Sequence, residues 1–195
     1  MTDGVRLLFF AGSERTGSFN KKLARLGATI AEVNGIAATF ADLGDYPMPL
    51  FNGDIEALDG PPENAYKFKE LMAAHNGVFI ASPEYNSSIT PLLKNTIDWV
   101  SRVRAPEPSG AEVYKTRVFA LGSASPGGMG GLRSLTTVRQ VLELGLGALV
   151  LPDQFAVPRA GDAFGEDGHL KNKDSQEIFK ALIQKLARAA HVLHG

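Results

Sequence analysis

The chain has 195 residues, with 20 Lys plus Arg against 21 Asp plus Glu and a net charge of -1. That length predicts a single domain over 1–195, and the balanced charge gives no overall basic field to hold nucleic acid or an anionic membrane. Cysteine is absent, which excludes a disulfide scaffold, thiolate metal sites and cysteine nucleophiles and makes the cytoplasm the expected compartment.

In chain order, residues 5–10 form a short apolar run ended by Gly12-Ser13, the signature of a strand buried on both faces. No signal core is expected there, because the run is short and has neither a basic flank nor a cleavage site. The next stretch reads Gly12-Ser13-Glu14-Arg15-Thr16-Gly17-Ser18-Phe19-Asn20 and leads into a helix whose stripe is Leu23, Leu26, Ile30 and Val33. Hydroxyls, one amide and one guanidinium gather at that helix N-terminus, where free N–H groups favour an anion. A plain helix cap on Ser18 explains the same residues. The spacing of Gly12 and Gly17 resembles a P-loop, but Ser18 and Phe19 replace its Lys and Ser/Thr, so a nucleoside triphosphate does not fit. A monophosphate does.

Strands follow at 36–41, 77–81, 117–121 and 148–151, with helices at 65–74, 91–100, 132–146 and 174–193. The last helix carries Ile178, Leu182, Ile183, Leu186 and Ala190 on one side. Between the third strand and its helix lies Ser82-Pro83-Glu84-Tyr85-Asn86-Ser87-Ser88-Ile89-Thr90-Pro91, stiffened by two prolines. It can frame the polar edge of a flat ring, or it can be a connector with Tyr85 packed down and Asn86 in a turn. Thr90 and Pro91 begin the following helix. After the fourth strand, residues 122–131 are rich in Gly and Ser, so backbone can approach a ligand closely there. Buried strands alternating with helices give an α/β fold with a mostly parallel, doubly wound sheet, whose ligands bind beyond the strands' carboxyl ends.

The first and third loops resemble the Gly-Ser-x-Arg-x-x-Ser-x-Asn and Pro-Glu-Tyr-Asn motifs of the NADPH-dependent FMN reductase family. The helix after the third loop adds Leu93-Lys94-Asn95-Thr96-Ile97-Asp98-Trp99, which matches the same family. The resemblance implies a flavodoxin-like five-stranded parallel sheet in the order 2-1-3-4-5. It implies that Ser13, Arg15, Ser18 and Asn20 hold the phosphate of FMN, with Phe19 beside them. It implies that Pro83, Glu84, Tyr85 and Asn86 hold the isoalloxazine, with Ser87 adjacent, and that Ser123 or Ser125 closes the ring's pyrimidine side. The implied activity is an NAD(P)H-dependent oxidoreductase. Hydride passes from NAD(P)H, the co-substrate, to flavin N5. A quinone, an azo compound, an oxidised metal species or free flavin then takes the electrons in a ping-pong cycle. No catalytic acid or base is nominated, since the chemistry is the cofactor's. A homodimer or a dimer of dimers is implied as well. The alternative is an FMN-binding electron carrier or sensor without nicotinamide turnover, although such carriers are usually strongly acidic.

Other features carry less. A serine hydrolase needs Gly-x-Ser-x-Gly, and Ser125 lacks the first glycine. His75, His169, His191 and His194 lack metal-ligand spacing, and Phe164 spoils a calcium loop at 162–168. No metal site is expected. Trp99 reads as core, Lys94 and Asn95 as solvent-facing, and Phe51 as lining a substrate or partner surface. No clear basic cluster for a nucleotide 2′-phosphate stands out, and nothing in the sequence supports Arg102, Arg104 or Arg133 for it over other positions.

Overall fold

The computed structural model describes residues 4–194. One five-stranded parallel sheet runs in the order β2-β1-β3-β4-β5. Its strands are β1 (Arg6–Ala11), β2 (Ala37–Ala41), β3 (Gly77–Ala81), β4 (Val118–Ala124) and β5 (Leu149–Val157). The helices are α1 (Phe19–Val33), α2 (Gly53–Asp59), α3 (Glu63–Ala73), α4 (Pro91–Arg102), α5 (Gly110–Thr116), α6 (Leu132–Gln140), α7 (Ala160–Ala163) and α8 (Lys173–His194).

Strand alternation builds two cores. Leu7, Phe9 and Ala11 of β1 point to the face covered by α1 and α8, where they meet Leu23, Ala24, Phe179 and Ile183. Leu8 and Phe10 point to the other face and meet Phe68 of α3, Leu93 and Ile97 of α4, and Leu135 of α6. Because both faces are covered, the strands read as continuous apolar runs rather than alternating ones. Each fully buried Leu or Phe contributes roughly 1.5–3 kcal/mol of transfer free energy.

The structure departs from the sequence reading in several places. β5 runs on from Leu149 through Pro152 to Val157, beyond the expected 148–151. It is an edge strand, and a register shift between Phe119 and Leu121 on β4 absorbs the proline. The expected helix 132–146 is helical only to Gln140 and continues as one π turn over Val141–Gly145. The helices α2, α5 and α7 were not anticipated, being too short to show periodicity. Val33 and Ile178 leave their apolar stripes: they are 80% and 62% exposed. Among the described residues, no helix is long and apolar enough to cross a membrane, and no group of three or more His, Asp or Glu side chains is arranged to hold a metal ion.

Candidate functional site

The loops after β1, β3 and β4 meet at the carboxyl edge of the sheet. Gly12 begins the first. Its N–H donates to the Ala81 carbonyl at 2.9 Å, and its carbonyl accepts from Thr90 Oγ1 at 2.7 Å. A Cβ at Gly12 would lie 2.9 Å from Leu93 Cβ, so only glycine lets this loop cross the start of α4. Arg15 N donates to Ser13 Oγ at 3.3 Å, and Lys21 Nζ donates to the Glu14 carbonyl at 3.0 Å. Lys21 also pairs with Asp42 at 2.7 Å. Partial burial pushes the Asp42 carboxyl up, but the Lys21 ammonium and the Gly44 N–H together hold it below its ordinary value. The first loop is thus tied to the end of β2.

Ser18 caps α1, accepting from Lys21 N at 3.4 Å. The cap and the anion site coexist. Among the described residues no acceptor meets the backbone N–H of Thr16, Gly17, Phe19 or Asn20. The Arg15 guanidinium stands exposed 5.7 Å from the Phe19 ring centroid. Free donors at a helix N-terminus beside one guanidinium are what a phosphate requires. Phe19 is backed by Phe164, their rings stacked with centroids 6.5 Å apart.

The Asn20 side chain also has a structural task. Its Nδ2 donates to the Ala124 carbonyl at 2.8 Å, and its Oδ1 accepts from Ala124 N at 2.9 Å. The buried amide clamps the first turn of α1 to the end of β4. It shapes the anion site by holding the loops together.

After β3, Pro83 is buried and Tyr85 to Ser88 close a tight hairpin. Tyr85 and Ser88 exchange two N–H···O bonds of 3.0 Å. Asn86 and Ser87 between them have φ of 50° and 66°, the type I′ pattern. Asn tolerates the left-handed region, whereas Ser does so less readily, so the two bonds hold some strain. Tyr85 does not pack down: it is 54% exposed. Asn86 and Ser87 occupy the exposed tip and do not line the cleft. The Glu84 carboxylate turns to Arg133, accepting from its N at 3.0 Å and its Nε at 2.8 Å. That guanidinium holds the Glu84 carboxyl below the usual carboxylate range despite partial burial.

After β4 the two serines separate. Ser123 is fully buried, and its Oγ has no partner among the described residues. Gly131 covers it, with φ of 87° and room for no side chain: a Cβ there would lie 3.0 Å from Ser123 Cβ. Ser125 faces the cleft, pinned by its N–H to the Val157 carbonyl at 3.1 Å. The extension of β5 beyond Pro152 supplies that anchor. One cleft therefore gathers Ser13, Arg15, Ser18, Phe19, Asn20, Pro83, Glu84, Tyr85 and Ser125, and leaves Asn86, Ser87 and Ser123 outside its lining.

The remaining motif residues strap a neighbouring segment. Asn95 Nδ2 and Trp99 Nε1 both donate to the Pro49 carbonyl, at 2.9 and 2.7 Å, and Asn95 Oδ1 accepts from Phe51 N at 2.7 Å. Asn95 is therefore not simply solvent-facing. Phe51 packs edge-on against Trp99 at 4.9 Å and stays half-buried. Lys94 pairs with Asp98 at 2.7 Å. Arg102 ends α4, about 16 Å along its axis from Pro91, Arg104 lies just beyond it, and neither lines the cleft. Lys21 is not among the residues the motifs point to, because its spacing to Asp42 carries no signal; the adjacency of β1 and β2 is what brings the two loops together.

Comparison with known proteins identifies this architecture. The family model described as NADPH-dependent FMN reductase matches residues 5–162. A quinone reductase of Pseudomonas putida is 33% identical over 177 residues, covering 90% of this chain and 89% of that protein. An NAD(P)H-dependent FMN reductase of Pseudomonas aeruginosa is 33% identical over 197 residues, covering both chains in full at 100%. Among solved structures, the flavoenzyme NAD(P)H:(acceptor) oxidoreductase FerB from Paracoccus denitrificans shares the fold, with a TM-score of 0.77 at 22% identity over 97% of this chain and 98% of that one. With its anion-ready loop, its rigid hairpin and its flavodoxin-like sheet, the chain belongs to the NADPH-dependent FMN reductase family.

Proposed function

We propose that this oxidoreductase holds FMN in the carboxyl-edge cleft and uses NAD(P)H to reduce a small acceptor of the quinone class. The carrying observation is the set of unpartnered N–H groups at 16, 17, 19 and 20, with Arg15 beside them and the stiff hairpin across the cleft. The residues fit the group: donors without acceptors among the described residues, at a helix N-terminus, suit a dianionic phosphate, and among the same residues nothing meets the N–H groups of Glu84, Asn86 and Ser87, which suit the polar rim of a ring. The chemistry supplied by bound FMN is reversible two-electron transfer between a reduced nicotinamide and an acceptor.

The chain's own residues bind and orient. Arg15 and the start of α1 take the phosphate. Pro83 and the Tyr85–Ser88 hairpin set the plane of the ring, and Ser125 approaches it from the loop after β4. Asn86 and Ser87 contribute main-chain donors rather than side chains, and buried Ser123 supports the loop from beneath. Glu84, held as a carboxylate by Arg133, does not act as a proton donor. The quinone class is supported by the activities named for the relatives. A homodimer or a dimer of dimers is part of the same proposal. Tyr85 and Met129 on the loops at this edge and Leu132 at the start of α6, all exposed, supply apolar surface for it.

The test is FMN affinity by fluorescence quenching, for the parent chain and for Arg15→Ala. The substitution is expected to weaken binding about tenfold, the worth of one charge-assisted contact of ~1.4 kcal/mol. Equal affinities would refute the phosphate assignment.

A further inference from the structure

The start of α6 lacks a cap of its own. Its N-cap residue is Gly131, which has no side chain to accept from the first turn. A carboxylate from 49 residues earlier does that work: Glu84 Oε2 accepts from Arg133 N at 3.0 Å, while Oε1 accepts from Arg133 Nε at 2.8 Å. The side chain of Glu84 is only 9% exposed, whereas that of Arg133 is 56% exposed. The glutamate follows Pro83 directly and precedes the strained hairpin, so the pair fastens that hairpin to α6. It also places one negative and one positive charge at the cleft wall, where Glu84 is itself a lining residue.

We infer that Arg133 is a positioning residue: it latches Glu84 to α6, fixes the hairpin at the ring, and cancels the one carboxylate that lines the cleft. This deepens the assignment of FMN to the cleft and rests on it. Two consequences follow. The latch orders the main chain of residues 83–88 whether or not a ligand is bound. The charge balance favours reduced FMN, on which negative charge grows near the ring rim. Removing the cation alone leaves the carboxylate uncompensated and disfavours reduction. Removing the carboxylate alone leaves the cation and does the opposite. Removing both restores neutrality.

The experiment compares Arg133→Gln, Glu84→Gln and the double variant with the parent, each loaded with FMN, by midpoint potential against a reference dye. Arg133→Gln is expected to weaken binding of reduced relative to oxidised FMN about tenfold, which is ~30 mV downward for a two-electron couple. Glu84→Gln is expected to move the potential upward, and the double variant to return close to the parent. Shifts of the same sign in both single variants, or none, would overturn the charge-balance role, because mere loosening of the hairpin cannot reverse sign.

The second readout uses the chain without FMN. Amide exchange at Arg133 should rise at least tenfold in Glu84→Ala; unchanged protection would overturn the latch. If Arg133→Gln fails to fold, Arg133→Lys keeps the charge and loses the fork. It should hold the potential while the main-chain N–H at position 133 keeps its protection through Glu84, and a potential as low as that of an uncompensated carboxylate would refute the inference. A parent chain that bound no FMN would overturn the cofactor assignment instead, while the exchange measurement would still report on the latch.

Discussion

Asn20 offers the sharpest test of how the cleft is assembled. Its amide satisfies both the N–H and the carbonyl of Ala124, at 2.9 and 2.8 Å, in a residue only 4% exposed. Asn20→Ala deletes the clamp and strands two buried backbone groups. Each stranded group costs about 1–3 kcal/mol, less whatever water recovers by entering from the cleft. A net loss of about 2–4 kcal/mol follows, or roughly 5–15 °C in Tm for a chain of this size. Asn20→Asp keeps an acceptor for Ala124 N but turns a carboxylate oxygen toward the Ala124 carbonyl, so it should rescue little. Thermal unfolding followed by circular dichroism, with urea titration for the free energy, reads both variants. A loss below about 0.5 kcal/mol for Asn20→Ala, the range of an ordinary surface substitution, would refute the reasoning. It would mean that the loops after β1 and β4 stay together without the amide.

Gly12→Ala places a methyl 2.9 Å from Leu93 Cβ and 3.1 Å from Thr90 Oγ1. Relief by shifting α4 should cost about 1–3 kcal/mol, and a variant as stable as the parent in urea would contradict the close crossing. His75 is buried, its ring nitrogens 2.7 Å from the Leu71 carbonyl and 2.8 Å from Thr39 Oγ1. Burial, and then the charges of Arg6 and Arg117, hold its imidazole below the ordinary value of 6.5 against the opposing Leu71 bond. The unfolded chain therefore binds more protons there than the native one as pH falls. The contribution is intact above about pH 6.5 and is lost as pH drops toward the folded value. His75→Gln should flatten the decline in stability between about pH 7 and pH 5; an unchanged slope would show that other groups cause it.

The strands were legible because both faces of the sheet are covered, so runs such as Leu7 to Ala11 and Val78 to Ala81 stay apolar throughout. The helices with long apolar stripes were legible for the related reason that α1 and α8 each bury one side. The strand order came from the family resemblance, not from periodicity, which carries no neighbour information. Pro152 reads as a stop, and only an edge position with a register shift lets β5 continue past it. Val33 and Ile178 keep helical spacing yet end up exposed, because a stripe does not say where the covering layer ends. At the site, residue types singled out loops that meet in one cleft, but not the contacts their side chains make. Asn20 spends its amide on Ala124, and Glu84 spends its carboxylate on Arg133, partners 104 and 49 residues distant. Such pairings depend on how the loops are brought together, which local sequence does not encode.

The most direct test of the whole account is an anaerobic titration of the FMN-loaded chain with NADPH. One equivalent should bleach the oxidised-flavin absorbance, and a benzoquinone added afterwards should restore it. A chain that takes up FMN but keeps its yellow colour in excess NADPH and NADH would contradict the reductase assignment, and one that never takes up FMN would contradict the cleft itself.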